Sequence, residues 1–201
     1  MSTITDLFDG AGPASTDVAG TVATTGDEAT SSSGFGGIQM YDTGLTTADQ
    51  RVSCWFDLSN TGDEQVLVAC GDGTYSYPWP NGYFIHHNAG NIEIFKNGGT
   101  ALDTAFVSLG SGVVKFTLEV IGGVIKTYFN DVEETGLTAT DGSPLTTKKV
   151  GFGWSFITGT ARADGGSGTG FYAEDVGGAA GQPTIKRFGG IPFATGRKGQ
   201  W

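Results

Sequence analysis

Two histidines and two cysteines are all that 201 residues offer a transition metal, and neither pair has the spacing of a zinc framework. Cys54 and Cys70 fall in strand-like segments, where they read as two small buried side chains, with a cross-strand disulfide as the alternative. No stretch carries apolar residues at i, i+3, i+4 and i+7 over three turns, which excludes a helical bundle. No run approaches the roughly 20 apolar residues of a membrane span. The opening MSTITDLFDG has neither a basic leader nor an apolar core, so a soluble product made in a cytoplasm is expected. Basic residues are scarce too: 11 against 21 acids give a net charge of −10, which argues against nucleic acid as a partner because phosphates would be repelled.

What the chain has in abundance is glycine, 35 residues, without a three-residue period and interleaved with aromatic and β-branched residues. That mixture suits short strands joined by tight turns. In Val113 to Ile121, Val114, Phe116, Leu118 and Val120 alternate with Lys115, Thr117 and Glu119, the period of a strand with one buried face. Gly122-Gly123 then supplies a two-residue turn, Val124 to Phe129 returns, and Asn130-Asp131 closes that arm. A second hairpin is written in Tyr83 to His87 and Ile92 to Lys96 around Asn88-Ala-Gly-Asn91. Further strands are predicted at 37–41, 52–58, 65–70, 149–157 and 170–176. Thr24 to Gly34 reads as a loop, while Leu7, Phe8, Val18 and Val22 could dock a first strand. The expected fold is all-β, an antiparallel two-sheet sandwich.

Charge divides the chain. The last acid is Asp175, so residues 176–201 hold only Lys186, Arg187, Arg197 and Lys198, a balance of +4. Setting those four aside leaves seven bases against 21 acids, −14, for residues 1–175. The division expected is a sandwich domain over 1–176 and an extended basic and aromatic docking tail over 177–201. In the tail those four cations bracket Phe188, Ile191, Phe193 and Trp201, combining steering charge with apolar anchors for a neighbouring subunit.

The segments DLFDG, YFIHHNAGNIEIFKNG, SGVVKFTLEVIGGVIKTYFNDVE and GFYAEDV, in this order, resemble the concanavalin A-like lectin/glucanase superfamily, whose laminin-G-like jelly rolls share these hairpins. The resemblance covers most of residues 5–178 and implies a jelly-roll fold. It leaves function open among lectins, glycanases, adhesion modules and viral structural proteins. The final KRFGGIPFATGRKGQW is similar to short C-terminal segments of tailed-bacteriophage virion proteins.

Glycanases of this superfamily carry E-x-D-x-x-E or E-x-D-x-E, which sets acid and nucleophile on one strand face. No such string occurs, so no catalytic residue, and no enzyme, is expected. Asp63-Glu64, Glu133-Glu134 and Glu174-Asp175 are adjacent acids whose side chains diverge on a strand. His86-His87 should diverge likewise, so a shared metal would need a bulge or a third ligand from elsewhere. No metal and no cofactor are expected, with Asp72 and Asp141 the only acids kept in view for calcium. Tyr75, Tyr77, Trp79 and Tyr83 cluster around Pro78 and Pro80 and suit a glycan or a protein contact, or the capping of an open sandwich end. The resemblances together imply a non-enzymatic virion protein: a capsid decoration (cement) protein, or a head-fibre or tail component, docked on the major capsid or another virion protein. A homo-oligomer is expected, a trimer being one form. The alternative is a carbohydrate-binding module for a cell-surface glycan.

Overall fold

The computed structural model describes residues 2–9, 12–25, 27–32, 36–76, 79–99, 101–158, 160–164 and 170–176. Among these residues there are strands and turns and no helix. In chain order the strands are β1 Thr3–Asp6, β2 Ser15–Ala19, β3 Ala23–Thr25, β4 Glu28–Ser31, β5 Gly37–Tyr41, β6 Gln50–Asp57, β7 Glu64–Gly71, β8 Tyr75–Ser76 and β9 Trp79–Pro80. They continue with β10 Tyr83–Asn88, β11 Asn91–Lys96, β12 Ala101–Phe106, β13 Val113–Ile121, β14 Val124–Phe129, β15 Val132–Thr140, β16 Lys149–Phe156, β17 Ala161–Asp164 and β18 Phe171–Asp175.

Two antiparallel sheets form the sandwich. Sheet I runs β15-β14-β13-β6-β17-β4-β3, and β18, which carries β1 on its far side, pairs with the Gln50 to Cys54 part of β6. Sheet II runs β12-β11-β10-β7-β16-β5-β2, and β8 with β9 makes a separate small ribbon. The hairpin expected at Gly122-Gly123 is present, both residues having the positive φ that the turn demands (57° and 83°). Thr24 to Gly34 is not a plain loop: β3 and β4 lie there as the edge of sheet I, tied by the register Ala23↔Thr30.

The inner faces meet through aromatic rings. Phe56, Phe116 and Phe171 of sheet I face Tyr41, Phe152 and Trp154 of sheet II, all with no more than 1% exposed. Phe56 meets Trp154 edge-on at 5.9 Å, Phe152 lies 5.6 Å from Phe171, and Tyr41 stacks on Phe171 at 4.5 Å. Such ring pairs add about 0.5–1.5 kcal/mol each beyond the area they bury. Cys54 and Cys70 are buried free thiols, and burial, followed by Asp49, pushes Cys70 up to about 12.

The last described strand is fixed by Asp175. Its carboxylate, 2% exposed, accepts bonds from the Ser2 amide (2.8 Å), the Thr46 amide (3.0 Å) and hydroxyl, and the Thr47 amide (2.9 Å) and hydroxyl (3.0 Å). Burial alone would raise this acid, but donors from Thr46, Ser2 and Thr47 outweigh it and hold it at about 2. A carboxylate depressed from the usual value of about 3.9 contributes stability above that pH and loses it as pH falls toward 2. Asp175→Asn should therefore cost about 2 kcal/mol at pH 7. In chemical denaturation between pH 5 and 2 the variant should also lose less stability than the parent, and equal acid slopes would refute the assignment.

Candidate functional site

Sheet II is apolar on both faces. Leu67, Ile85, Ile94 and Phe152 point into the main core, whereas the alternate residues Val66, Val68, Phe84 and Phe95, with Ile38 and Met40, form a second buried cluster on the outer face. The ribbon β8–β9 packs on that outer cluster. Trp79 lies nearly parallel to Phe84 and Phe95, at 5.3 Å from each, and Tyr75 packs beside it, partly buried. Asp72 braces the ribbon by accepting the Thr74 amide (2.8 Å) and hydroxyl (2.7 Å), and Asn81 donates to the Thr74 hydroxyl at 2.6 Å.

Beyond Trp79 the outer face turns polar. The indole meets the His86 ring edge-on at 4.6 Å. His86 Nε2 lies 3.1 Å from Glu64 Oε2, and Nδ1 lies 3.3 Å from Glu93 Oε2. Glu64 also accepts the Ser155 hydroxyl (2.8 Å) and the Asn88 amide (2.8 Å). The register explains this gathering: His86 faces Glu93 across β10–β11 and Val66 across β10–β7, so Glu64, two residues from Val66, reaches the same face. The His86 side chain is 7% exposed, while those of Glu64 and Glu93 are 21% and 24% exposed. The ring thus organises, and the carboxylates with exposed Asn88 meet solvent.

His87 takes the opposite course, as strand periodicity predicts. It points inward, edge-on to Phe116 at 5.7 Å. Its Nε2 accepts the Gly90 amide at 3.1 Å, so the proton sits on Nδ1, which donates to Gln65 Oε1 at 2.5 Å. Burial, and then the neighbouring His86, hold His87 down at about 4.

Of the expected aromatic contacts, Trp79 and Tyr75 are on the outer face, and Tyr77 lies outside the described residues. Tyr83 is corrected: it opens β10 on the same parity as Ile85 and is fully buried in the main core. Its hydroxyl donates to Asp141 Oδ2 (2.5 Å) and accepts the Leu145 amide (3.1 Å), and burial followed by Asp141 pushes the phenol up. The docking residues Lys186, Arg187, Phe188, Ile191, Phe193, Arg197, Lys198 and Trp201 lie outside the described residues, as does the whole segment 177–201. Asp141 accepts Lys96 Nζ (2.7 Å) and the Ser143 amide (2.9 Å), so protein donors occupy it, as they do Asp72. Among the described residues no group of three or more histidine, cysteine or acidic side chains is placed to hold a metal, and no helix is long and apolar enough to cross a membrane. Glu93, Asn88 and Ser155 were not singled out as site residues by their sequence, and Glu64 was weighed only as one of two adjacent acids and set aside. The only local hint was the i, i+2 spacing of His86 and Asn88.

No protein-family model matches the chain, and no curated protein matches it either. Solved structures do. The carbohydrate-binding module CBM66 from Bacillus subtilis is 18% identical, with a TM-score of 0.59 over 76% of this chain and 92% of that one. A B. subtilis protein of unknown function with a galectin-like fold is 11% identical, with a TM-score of 0.59 over 81% of this chain and 88% of that one. The exoplasmic/lumenal domain of VIP36, solved with Ca2+ and Man3GlcNAc bound, is 10% identical and superposes with a TM-score of 0.62 over 92% of each chain. The fold is therefore the jelly roll of concanavalin A-like and galectin-like proteins.

The His87 geometry generates a prediction. A histidine held at about 4 against an ordinary value near 6.5 leaves stability intact above pH 6.5 and removes it as pH falls from there to about 4, because the unfolded chain binds the proton first. Nitrogen-detected NMR should show the Nδ1–H tautomer throughout that window, and His87→Gln should flatten the pH dependence of unfolding there. Titration of His87 near 6.5 would refute the buried geometry.

Proposed function

We propose that this chain is a non-enzymatic glycan-binding domain whose sugar lies on the outer face of sheet II, against Trp79, Glu64, Glu93 and Asn88. The single observation that carries it is the meeting at His86 of an aromatic ring with two part-exposed carboxylates bearing on one histidine. A sugar presents hydroxyls on its edges and a C–H face, so its receptor needs fixed acceptors and donors beside a ring. Carboxylates supply acceptors, Asn88 supplies both kinds, and the Trp79 edge supplies apolar surface. The sugar-binding character of CBM66 and the mannose-type ligand of VIP36 support the same reading on a shared fold.

Binding rather than hydrolysis fits the use of the carboxylates. Both oxygens of Glu64 are engaged, Oε1 by Asn88 and Oε2 by His86 and Ser155, whereas a general acid must present a proton to the leaving group. The capsid-decoration reading rests on the basic and aromatic tail, which lies outside the described residues, and no neighbour named above speaks for it. The outer face of sheet II carries the stronger case.

The test is a glycan array with the purified chain, followed by calorimetry on the best ligand. Glu64→Gln keeps the shape and removes the charge-assisted acceptor, so affinity should fall about tenfold or more. Trp79→Ala should abolish binding while circular dichroism keeps its β-type spectrum. No reducing ends should be released from any bound polysaccharide. An array blank across neutral glycans would sink the reading, and turnover lost in Glu64→Gln would convert it to an enzyme.

A further inference from the structure

We infer that the glycan site does not end at Asn88 but continues across the sheet to Phe106, whose ring and adjoining cavity form a subsite for further units of the same saccharide chain; this rests on the glycan reading above. Phe106 ends the edge strand β12 and is 77% exposed, the most exposed large apolar side chain among the described residues. The register places it on the functional face. Phe106 pairs with Asn91, Asn91 pairs with Asn88, and Asn88 binds Glu64, so the four lie in one row across β12, β11, β10 and β7. Two strand spacings, about 10 Å, separate Phe106 from Asn88. That is the length of two pyranose units in an extended chain.

The ring is held in place. Gly90 has φ +90° in the turn between β10 and β11, and a Cβ at Gly90 would come within 3.0 Å of Phe106 Cε2. The Val107 amide donates to the Gly90 carbonyl at 2.8 Å, fixing the chain just past the phenylalanine. Phe106 thus rests against a turn that only glycine leaves open. Beside it, at the mouth between the two sheets, is a cavity of about 280 Å3, lined by Leu58, Val107, Leu109 and the inward-facing His87 on the core side and by Thr61 and Ser108. An aromatic ring beside the hydroxyl-bearing Thr61 and Ser108 suits a pyranose, which offers one C–H face and a polar rim. The turn joins the two regions: Asn88 faces Glu64, and Ala89 and Gly90 line the cavity.

The recognised ligand is accordingly a chain of three or more units, and affinity grows with length. Calorimetry should compare the parent and Phe106→Ala against one- to five-unit series of mannan, glucan, galactan, xylan and fructan. In the parent, affinity for the bound series should rise about tenfold between one unit and three or four. Phe106→Ala should keep the single-unit affinity and lose that rise, and Phe106→Trp should restore it. Trp79→Ala should abolish binding at every length. A length dependence unchanged in Phe106→Ala overturns the subsite while leaving the glycan site standing. If no series and no arrayed glycan binds the parent, the glycan reading falls and this inference falls with it. Sedimentation decides the rival occupant: a dimer of the parent that Phe106→Ala dissolves would assign the ring to a second copy and overturn the proposal.

Discussion

The fold hangs on the aromatic contact between the sheets, and most directly on β16. Its inward residues Phe152 and Trp154 meet Phe56 and Phe171 of sheet I, while Gly151 and Gly153 alternate with them on the outer side. Because both large rings of β16 point inward and glycines stand between them, this strand adds no bulk to the outer face. It is there that β5 and β7 contribute Ile38, Met40, Val66 and Val68 to a second buried cluster, and that the β8–β9 ribbon lays Trp79. A polar row with an aromatic neighbour is possible only on a sheet already anchored from behind. His86 and His87 show the division in two adjacent residues, one organising the outer carboxylates and one filling the core.

Strands that bury one face were legible in the sequence. β13 and β6 alternate in sequence, β10 and β11 carry apolar residues on both faces, and the turns of the β10–β11 and β13–β14 hairpins carry the Gly and Asn residues that hairpins require. β12, β15, β3 and β4 were not legible, because at or next to a sheet edge both faces are partly wet and the alternation fades. Ala101 to Phe106 alternates half-buried and exposed residues with no buried position, and most of β15 is exposed around Leu137 alone. The candidate site divides along the same line. Trp79 stood out as an aromatic beside prolines, but Tyr83, four residues on, looked the same and is core. Glu64 reaches His86 from 22 residues upstream, Ser155, 69 residues downstream of that histidine, reaches Glu64, and only the pairing of β7 with β10 and β16 joins them. No local pattern encodes that.

Charge adds a selectivity that shape alone would not. Glu64 and Glu93 stand at the surface of a chain whose net charge is −10, so an anionic ligand meets repulsion both at long range and at the site. Neutral polyols suffer neither. Under the glycan reading proposed above, the carboxylates would favour uncharged saccharides over sulfated or carboxylated ones, with a contrast that grows as salt is lowered.

Asp175 sets the direction in which the domain faces the world. By binding Ser2 while β1 pairs with β18, it gathers both flanks of the sandwich at the pole where β6 begins. Glu64, Asn88 and Phe106 sit at the other pole, past the end of β6, where the turns after β10 and β12 lie. Whatever continues on either side of residues 2 and 176 joins the domain at one pole. A load applied at residues 2 and 176 would therefore pass through the β1–β18 pair at one pole and not through the row of Glu64, Asn88 and Phe106 at the other.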